Sequence, residues 1–388
     1  MMPRLTRDQV DAARSALAAW AGLPEALDAV SKDYVGIRDV LDIGGQIRHA
    51  LAGAGPFLQP LLDDPAVTDV LVNGTKGIWI DRGRGLERVS DLDNIYDEAR
   101  VRELAVRLAA GCGQRLDDSS PVVGGAGSGG SRLRAVLPPL EAEGTLISLR
   151  THRPVAFDLG DLDRRGMLSG MGEILGSIVA GRANAIISGS TGSGKTTLLA
   201  ALLATVPANE RILIIEESYE LRPRHPHVVH LQERRENVQG AGAVSMSELV
   251  RAAMRMRPDR IVLGECRGSE VRDVLSALNT GHEGGWATIH ANSAMDVPAR
   301  LIALGALAGM NEAVVAAQAS SALDAVIHVE RRGGIRRIAQ IAVLERRGRE
   351  LVALPAVEAC GERITYGQGW EKLCRRLELA TSERGGPV

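Results

Sequence analysis

The sequence predicts an α/β protein built around a parallel sheet, and two observations carry this prediction. First, the apolar run 185–188 leads into a glycine-rich turn and then into a helical pattern from Lys195 to Ala204. Strand, turn and helix in this order form the context that a GxxxxGKT phosphate-binding loop requires. Second, apolar runs at 211–216, 260–264 and 285–289 alternate with helical segments. Such alternation is typical of a parallel sheet with helices on both faces.

The chain before this core divides into a helical lead-in and an α+β domain. Helical patterns, the first with a capping box at Thr6 and Gln9, indicate a lead-in over 1–52. An α+β domain follows over 53–153, with strands in 68–89, a helix over 98–110, and strands at 133–136 and 144–150. Pro154 and Gly160 mark a linker over 154–162, and the parallel-sheet domain occupies 163–388.

Two other segments have a distinctive composition. The glycine-rich run 124–131 lacks the Gly-Lys pair and the following helix of a phosphate loop, so we expect a flexible turn there. The most apolar region, 301–329, is interrupted by polar residues at spacings that predict packed helices.

Charge and cysteine content limit the classes of function. The net charge of −2 gives no whole-chain electrostatic argument for binding nucleic acid. Cys112, Cys266, Cys360 and Cys374 lie far apart without a CxxC pair, which favours neither a zinc site nor a disulfide framework and fits a reducing cytosol. We also expect no signal peptide and no transmembrane helix, because no apolar run is long enough.

The glycine-rich turn at 189–196 has the chemistry of a nucleotide site. Gly189, Gly192 and Gly194 let the backbone turn tightly, so that N–H groups and the helix N-terminus can hold the α- and β-phosphates. The Lys195 ammonium can reach the β- and γ-phosphates, while the Thr196 hydroxyl can ligate Mg²⁺. The candidate nucleotide-binding set is completed by Ser190, Thr191, Ser193 and Thr197. An ordinary glycine-rich turn is the alternative interpretation.

Carboxylates are predicted at the ends of two apolar strands. Glu216 and Glu217 follow one strand, and Glu265 follows another. In doubly wound sheets the ligand-binding residues collect at the carboxyl ends of the strands. We therefore expect these acids to act on Mg²⁺ or its water shell, with Glu217 and Glu265 joining Thr196 as metal-site residues. The competing interpretation is that they are merely solvated strand ends.

Histidines and arginines flank these strands. His282 and His290 bracket the run 285–289, and His290 is placed to polarise the γ-phosphate or hold an attacking water, although a lone histidine is more often structural. Metal ligation by either histidine has no support in the spacing. Five arginines lie around Glu265, of which we expect one or two to contact the γ-phosphate or to act at an interface. They are Arg251, Arg255, Arg257, Arg260 and Arg267.

Several ordered motifs together resemble one protein family. The runs 254–268, 278–282 and 288–293, with the run Asp69 to Gly74 near the start, resemble the type II/type IV secretion ATPase superfamily. The chain looks most like the CpaF-like tight-adherence (Flp) pilus assembly ATPases, which are often labelled conjugal-transfer ATPases. The resemblance covers about 69–344.

This resemblance implies a RecA-like P-loop ATPase core and a role for each motif. The loop Gly189 to Thr196 matches the Walker A motif, Glu216 and Glu217 match the acidic Asp box, and Glu265 matches the Walker B glutamate that orients or activates water. The segment from His282 to His290 matches the His box. Four arginines match family positions near the nucleotide, two that close over it from the N-terminal domain and two near its γ-phosphate. They are Arg132 and Arg150, and Arg234 and Arg267.

The resemblance also implies an assembly and a location. Family members work as hexameric rings with ATP between the N- and C-terminal domains, on the cytoplasmic side of the inner membrane beside its platform proteins. Two departures distinguish this chain. The family's Asp-Ala-Arg-Leu is replaced after Val123 by Gly124 to Gly127, so an acid and an arginine are missing. The Asp box reads Glu216-Glu217 instead of Glu-Asp, a conservative change that keeps the charge. The zinc-binding cysteines of type II relatives are absent, which favours the pilus or conjugation branch.

Three functions are compatible with these residues. The leading hypothesis is a hexameric ATPase that powers pilus assembly or protein export across the inner membrane, with ATP and Mg²⁺ as cofactors. The second is a DNA-stimulated conjugation motor, although neutral charge and an aromatic content of 3% make nucleic acid an unlikely partner. The third is a nucleotide-gated binding module that binds ATP but scarcely hydrolyses it.

Overall fold

A computed structural model describes residues 54–83, 85–90, 97–126, 131–151, 157–234, 242–281, 283–361 and 363–379. The chain divides into two compact units at the boundary between Arg153 and Pro154. Each unit has its own apolar core. The predicted helical lead-in over 1–52 lies outside the described residues, as does the histidine His282.

The first unit contains a six-stranded antiparallel sheet with the order β3-β2-β1-β6-β5-β4. Its strands are β1 (Asp69–Asn73), β2 (Ile78–Asp81), β3 (Leu86–Arg88), β4 (Val122–Ala126), β5 (Arg132–Val136) and β6 (Leu146–Arg150). Two helices accompany the sheet, α1 (Gly55–Asp63) and α2 (Glu98–Gly111). Alternate residues of β1, β5 and β6 are buried, as expected for a sheet with one covered face.

Helix α2 covers that face. It begins after Asp97, whose side chain accepts a hydrogen bond from the Arg100 N–H and so satisfies one of the free donors of the first turn. Its buried stripe, Val101, Leu104, Ala105, Leu108 and Ala109, joins the core formed by the sheet. The 3.6-residue spacing of this stripe is the signal that predicted a helix over 98–110.

The predicted flexible turn at 124–131 is wrong for its first three residues. Gly124, Gly125 and Ala126 belong to β4 and pair with β5, while 127–130 lie outside the described residues. A β-carbon at Gly125 would lie only 2.7 Å from the Cys112 Cβ at the end of α2. Glycine here allows the strand to pack closely against the helix, a requirement that composition alone does not reveal.

The second unit contains a nine-stranded mixed sheet with the order β15-β14-β13-β12-β7-β11-β10-β8-β9. Its strands are β7 (Ala185–Ser188), β8 (Ile212–Glu216), β9 (Val228–Gln232), β10 (Arg260–Cys266), β11 (Trp286–Ile289), β12 (Ala325–Arg332), β13 (Ile335–Arg347), β14 (Glu350–Cys360) and β15 (Arg363–Tyr366). The six strands from β12 to β9 in this order run parallel. Strands β13 to β15 extend the sheet in antiparallel pairs.

Helices pack on both faces of this sheet. They are α3 (Leu159–Arg164), α4 (Gly172–Ala180), α5 (Lys195–Leu203), α6 (Met246–Ala253), α7 (Val271–Asn279), α8 (Val297–Leu307), α9 (Glu312–Ala322) and α10 (Trp370–Leu377). One core joins the sheet to α3, α4, α5 and α10, and the other joins it to α6 through α9. This confirms the predicted α/β class, with a parallel sheet between two helical layers.

Three details differ from the prediction. Strand β10 continues to Cys266, so that Glu265 lies inside the strand instead of after it. Residues 325–329 form β12, which pairs with β7, so the prediction of packed helices is wrong beyond Asp324. Helix α3 begins at Leu159, inside the predicted linker, with a capping box between Asp158 and Asp161. In the described part of the chain, no helix combines the length and apolar character needed to cross a membrane.

Candidate nucleotide-binding site

The candidate site begins at the centre of the nine-stranded sheet. Strand β7 lies between β12 and β11, and all four of its residues are buried. The chain turns after Ser188 through the segment 189–194, and α5 begins at Lys195. The loop therefore lies at the carboxyl end of a central strand and at the N-terminus of a helix, where backbone N–H groups are available to an anion.

Two glycines of the loop are required by close packing. A β-carbon at Gly189 would lie 2.2 Å from the Val329 carbonyl oxygen of β12. Gly194 has a φ of 104°, and a β-carbon there would approach the Met167 Cε at 3.0 Å and the Arg336 Cδ at 3.2 Å. Any other residue would strain the backbone or displace these neighbours. The motif glycines are therefore explained by the fold as well as by phosphate chemistry.

Lys195 is turned back onto the loop. Its Nζ donates to the carbonyl oxygens of Gly189 at 2.8 Å and Ser190 at 3.0 Å, and lies 3.5 Å from the His290 Nδ1. Burial lowers the pKa of Lys195, while the nearby Glu265 carboxylate opposes the shift. Within the described residues, the Ser193 hydroxyl is buried without a hydrogen-bond partner. An ammonium and a free buried hydroxyl at a helix N-terminus fit the phosphates of a nucleotide.

Glu265 lies between a histidine and an arginine. Its Oε1 is 2.6 Å from the His290 Nε2, and its Oε2 is 2.7 Å from an Arg267 Nη atom. Glu265 lies within a β-bulge of β10, between Leu263 and Cys266. Next to it, the Thr288 hydroxyl donates to the Gly264 carbonyl at 2.6 Å. Bulges of this kind commonly re-aim a side chain beside a functional site.

Arg267 connects two carboxylates that come from different strands. One Nη atom donates to the Glu217 Oε2 at 2.7 Å, and the other contacts Glu265. The hydrogen bond to Glu265, reinforced by the charges of both carboxylates, raises the pKa of Arg267. The side chain of Arg267 is 48% exposed, so these pairs remain within reach of solvent and of a ligand.

His290 is held as a neutral imidazole. Burial lowers its pKa, and the Lys195 and Arg267 charges add to that effect, while Glu265 opposes it. The His290 Nδ1 lies 3.5 Å from the Lys195 Nζ, and its Nε2 lies 2.6 Å from the Glu265 Oε1, so the ring stands between an ammonium and a carboxylate. His290 therefore links the phosphate loop to the Glu265 carboxylate.

The neighbouring acids Glu216 and Glu217 have different surroundings. Glu216 is buried, and its Oε1 accepts from the backbone N–H groups of Glu220 at 3.1 Å and Leu221 at 2.8 Å. Its Oε2 lies 3.7 Å from the His230 Nδ1. Glu216 thus orders the loop after β8, while Glu217 faces Arg267. A catalytic role for Glu216 stays a prediction.

The other predicted residues are placed in several ways. Thr196 and Thr197 lie in the first turn of α5, half-buried, and Ser190 and Thr191 are exposed in the loop. Arg234 follows β9 and donates through Nε to the Gly242 carbonyl. Their contacts with a nucleotide stay predictions.

The two N-terminal arginines lie in the first unit. Arg132 and Arg150 are directly paired in register across β5 and β6. The Arg150 Nε donates to the Asp69 carboxylate at 2.9 Å. Their closure over a nucleotide stays a prediction.

Of the arginines considered around β10, three have well-defined partners. Arg267 is in the cluster described above. Arg251 pairs with Asp273 at 3.2 Å, and Arg260, at the amino end of β10, pairs with Glu210. The ion pairs of Arg251 and Arg260 therefore lie outside the Glu265 cluster.

Two residues beside the loop are not predicted from the sequence. One lies on β12 and the other on β13. His328 is buried on β12, and its Nδ1 lies 2.9 Å from the Ser188 hydroxyl at the end of β7. Arg336 lies on β13, and its Nε donates to the Gly192 carbonyl at 2.9 Å. The signal that could have found this hairpin is the Gly333-Gly334 turn between two strand-like runs.

Sequence comparison places the chain in one family. A family model described as "Type II/IV secretion system protein" matches residues 52–368. The chain belongs to this family of type II/IV secretion system proteins. The match is longer than the resemblance over 69–344 inferred from the motifs.

Individual relatives agree with that assignment, and a solved structure has a similar fold. The chain is 50% identical over 306 residues to the "Putative conjugal transfer protein" of Mycobacterium tuberculosis H37Rv, covering 77% of this chain and 86% of the relative. It is 30% identical over 308 residues to conjugal transfer protein TrbB of Rhizobium radiobacter, covering 77% and 90%. The ATPase DotB of Legionella pneumophila has a similar fold, with a TM-score of 0.51, 18% identity, and coverage of 79% and 80%.

Proposed function

We propose that this protein hydrolyses ATP to ADP and phosphate, with Mg²⁺, and uses the energy to drive a secretion-type machine. The observation that carries the proposal is a continuous chain of contacts. It runs from Lys195 in the phosphate loop through His290 to Glu265, and on through Arg267 to Glu217. A phosphate-binding loop beside a carboxylate held by two basic groups has the parts that phosphoryl transfer to water needs.

Each part of the site has a distinct task in this proposal. The loop 189–194, the N-terminus of α5 and the Lys195 ammonium bind and orient the phosphates, and Thr196, Glu217 and Glu265 would hold Mg²⁺ directly or through water. When bound, Mg·ATP supplies the anhydride bond and the metal's charge.

The Glu265 carboxylate orients the attacking water and accepts a hydrogen bond from it. The neutral His290 contacts one oxygen of this carboxylate through Nε2 and so helps to orient it. Its Nδ1 lies beside the Lys195 ammonium, so His290 also contacts the phosphate loop. Arg267 offsets charge as it develops, because its two Nη atoms already face both carboxylates. These contacts couple occupation of the phosphate loop to the position of Glu265.

For the assembly, we propose a homohexamer on the cytoplasmic face of the inner membrane, docked on platform proteins. In such a ring Arg132, Arg150 and Arg234 would complete the site around the nucleotide, in the same or a neighbouring subunit. Its task would be assembly of a tight-adherence or type IV-like pilus, or protein export. The family assignment and the two-unit organisation support this proposal.

A second candidate is a motor that acts on DNA during conjugation. The names of the relatives from Mycobacterium tuberculosis and Rhizobium radiobacter favour it, since both refer to conjugal transfer. The net charge of −2 weighs against it, because DNA-binding surfaces are usually rich in basic residues.

The proposal is tested by steady-state ATP hydrolysis together with the mass of the protein in solution, with and without Mg·ATP. We expect wild type to hydrolyse ATP as a ring of six, and Glu265→Gln to bind ATP with a turnover reduced about 100-fold or more. Glu350→Gln, an exposed acid at the start of β14, is the matched control and should behave like wild type.

The other outcomes separate the alternatives. ATP binding without turnover in wild type, even with membrane partners present, would indicate a nucleotide-gated binding module. Hydrolysis that rises when single- or double-stranded DNA is added, with a steep salt dependence, would favour the conjugation motor. Equal hydrolysis by wild type and Glu265→Gln would contradict the proposed role of Glu265.

A further inference from the structure

The hairpin formed by β12 and β13 runs alongside the phosphate loop. On β12, His328 pairs in register with Ser188, and the Val329 carbonyl lies against Gly189. On β13, the Arg336 side chain reaches the other half of the loop. The loop is therefore packed along its length by one hairpin, which the motifs did not predict.

Arg336 touches the loop at two points. Its Nε donates to the Gly192 carbonyl at 2.9 Å, and its Cδ lies 3.2 Å from the position that a β-carbon at Gly194 would occupy. The backbone of β13 is itself fixed nearby, because the Ile338 N–H donates to the Met167 carbonyl at 2.8 Å. Met167 also packs against Gly194, so the loop lies between Met167 and the stem of Arg336.

This contact fixes one peptide of the loop. A peptide group is planar, so holding the Gly192 carbonyl also sets the direction of the Ser193 N–H on the opposite side. That N–H donates to the Ser190 carbonyl at 3.3 Å, across the turn. A loop that binds phosphate through backbone N–H groups depends on such peptide orientations, and a preset orientation lowers the entropy lost on binding.

We propose that Arg336 is a positioning residue of the nucleotide site, which holds the Gly192–Ser193 peptide so that the loop is preorganised for the phosphates. This inference rests on the proposed nucleotide binding and deepens it. The essential feature is the Nε–H donor at its present position, and the positive charge of the guanidinium is secondary.

Three substitutions separate the donor from the charge. Gln carries its amide nitrogen as many bonds from the backbone as the Nε of Arg, so Arg336→Gln keeps a donor near that position without the charge. Arg336→Lys keeps the charge but moves the donor beyond the Gly192 carbonyl. Arg336→Ala removes both. Arg332→Ala is the matched control, an exposed arginine of the same hairpin that pairs in register with Ile335.

The measurement is the dissociation constant for ADP, with KM and kcat for ATP, for each variant of the full chain. We expect Arg336→Ala and Arg336→Lys to weaken ADP binding and raise KM about tenfold, with kcat nearly unchanged. Arg336→Gln should stay within about threefold of wild type, and Arg332→Ala within about twofold. The melting temperature without nucleotide, measured on all four, identifies any variant that fails to fold.

The outcomes divide cleanly. Full recovery by Arg336→Lys together with failure of Arg336→Gln would overturn the positioning role in favour of a simple charge effect. Wild-type affinity in all three Arg336 variants would also overturn it, while leaving the proposed nucleotide binding intact. If neither wild type nor Arg332→Ala binds ADP, the proposed function itself fails and this inference fails with it.

Discussion

The second unit has a cluster of ion pairs at each end of its parallel strands, and the two clusters differ in burial and in the nature of their partners. At the carboxyl ends, Glu265 is 24% exposed and Arg267 is 48% exposed. At the amino ends, the Arg260 side chain is 1% exposed and its partner Glu210 is 13% exposed. Charge alone would mark both clusters as candidate sites.

The amino-end cluster is built into the framework. The Arg260 Nε lies 2.6 Å from Glu210, and an Nη atom donates to the Val179 carbonyl at 3.0 Å. Arg182 shares Glu210 at 3.1 Å and donates to the Asp259 carbonyl at 2.8 Å. These bonds join α4, the start of β10 and the segments before β7 and β8, so they serve to hold elements together.

Asn184, the residue before β7, adds further structural hydrogen bonds at this end of the sheet. Its side chain donates to the Ala322 carbonyl at 2.9 Å and accepts from the Gly285 N–H at 2.9 Å. Its backbone N–H donates to Asp324, which also pairs with Arg376 at 2.8 Å. At the carboxyl end, by contrast, the Lys195 ammonium is bonded to loop carbonyls that a phosphate could replace. Exposure and exchangeable partners, more than charge, distinguish the candidate site from the structural cluster.

The largest expected effect comes from breaking the amino-end cluster. Arg260→Met removes a buried cation and leaves Glu210 with Arg182 alone, so we expect the free energy of unfolding to fall by about 3 kcal/mol. Denaturant titration measures this. Arg272→Ala removes an exposed arginine that lies 3.9 Å from Asp273, and Asp273 keeps its closer pair with Arg251, so this change should cost less than about 1 kcal/mol. A loss for Arg260→Met no greater than for Arg272→Ala would remove the structural role assigned to this end.

Replacing a cation by methionine at the carboxyl ends of the strands should affect nucleotide binding instead of stability. Lys195→Met should weaken ATP affinity about 100-fold, or about 2.7 kcal/mol, measured by titration with nucleotide. Because burial lowers the pKa of Lys195, the folded state disfavours its ammonium, and at neutral pH that cost is present. The melting temperature without nucleotide should therefore stay level or rise. A fall as large as that of Arg260→Met would erase the contrast between the two ends.

A smaller effect on stability is expected where the Glu216 side chain packs against Gly264 of β10. A β-carbon at Gly264 would lie 2.7 Å from the Glu216 Cγ, so Gly264→Ala should lower the free energy of unfolding by about 1–3 kcal/mol. Gly176→Ala, in helix α4 with open space around it, is the control and should raise it by about 0.5–1 kcal/mol. If denaturant titrations do not show shifts of opposite sign for the two variants, the tight packing of Glu216 against Gly264 is contradicted.

The smallest effect concerns pH. The lowered pKa of His290 means that the unfolded state binds more protons just below pH 6.5, so stability falls as the pH drops through that range. His290→Gln should reduce this slope, leaving the part that comes from His328, whose pKa burial also lowers. The effect is modest because His290 is 33% exposed. Unfolding free energies at pH 7.5, 6.5 and 5.5 test it, with the exposed His227→Gln as control; an unchanged slope in His290→Gln would refute it.

Much of this architecture could be predicted, because β7, β8, β10 and β11 are apolar runs that end at motif residues. The sequence could not assign different surroundings to Glu216 and Glu217. All five residues of β8 are buried, so no alternation of polar and apolar positions indicates which side chain faces which way. The link from Arg267 to both carboxylates depends on the register between strands that are distant in sequence. The sequence pattern does not predict strands β13 to β15, and it predicts helix for 325–329 of β12, because the neighbours of these strands in the sheet decide their structure.

Because of the bulge in β10, the direction of the Glu265 side chain depends on the number of residues in that strand. Val262 and Leu263 pair with Trp286 and Ala287, but the next paired residue is Cys266, opposite Ile289. Two residues of β10 therefore stand where β11 has one. Shortening β10 by a single residue would restore a regular ladder and redirect the carboxylate, even with every side chain of the site retained. At this position the direction of the Glu265 side chain depends on the number of residues in β10 as well as on their identity.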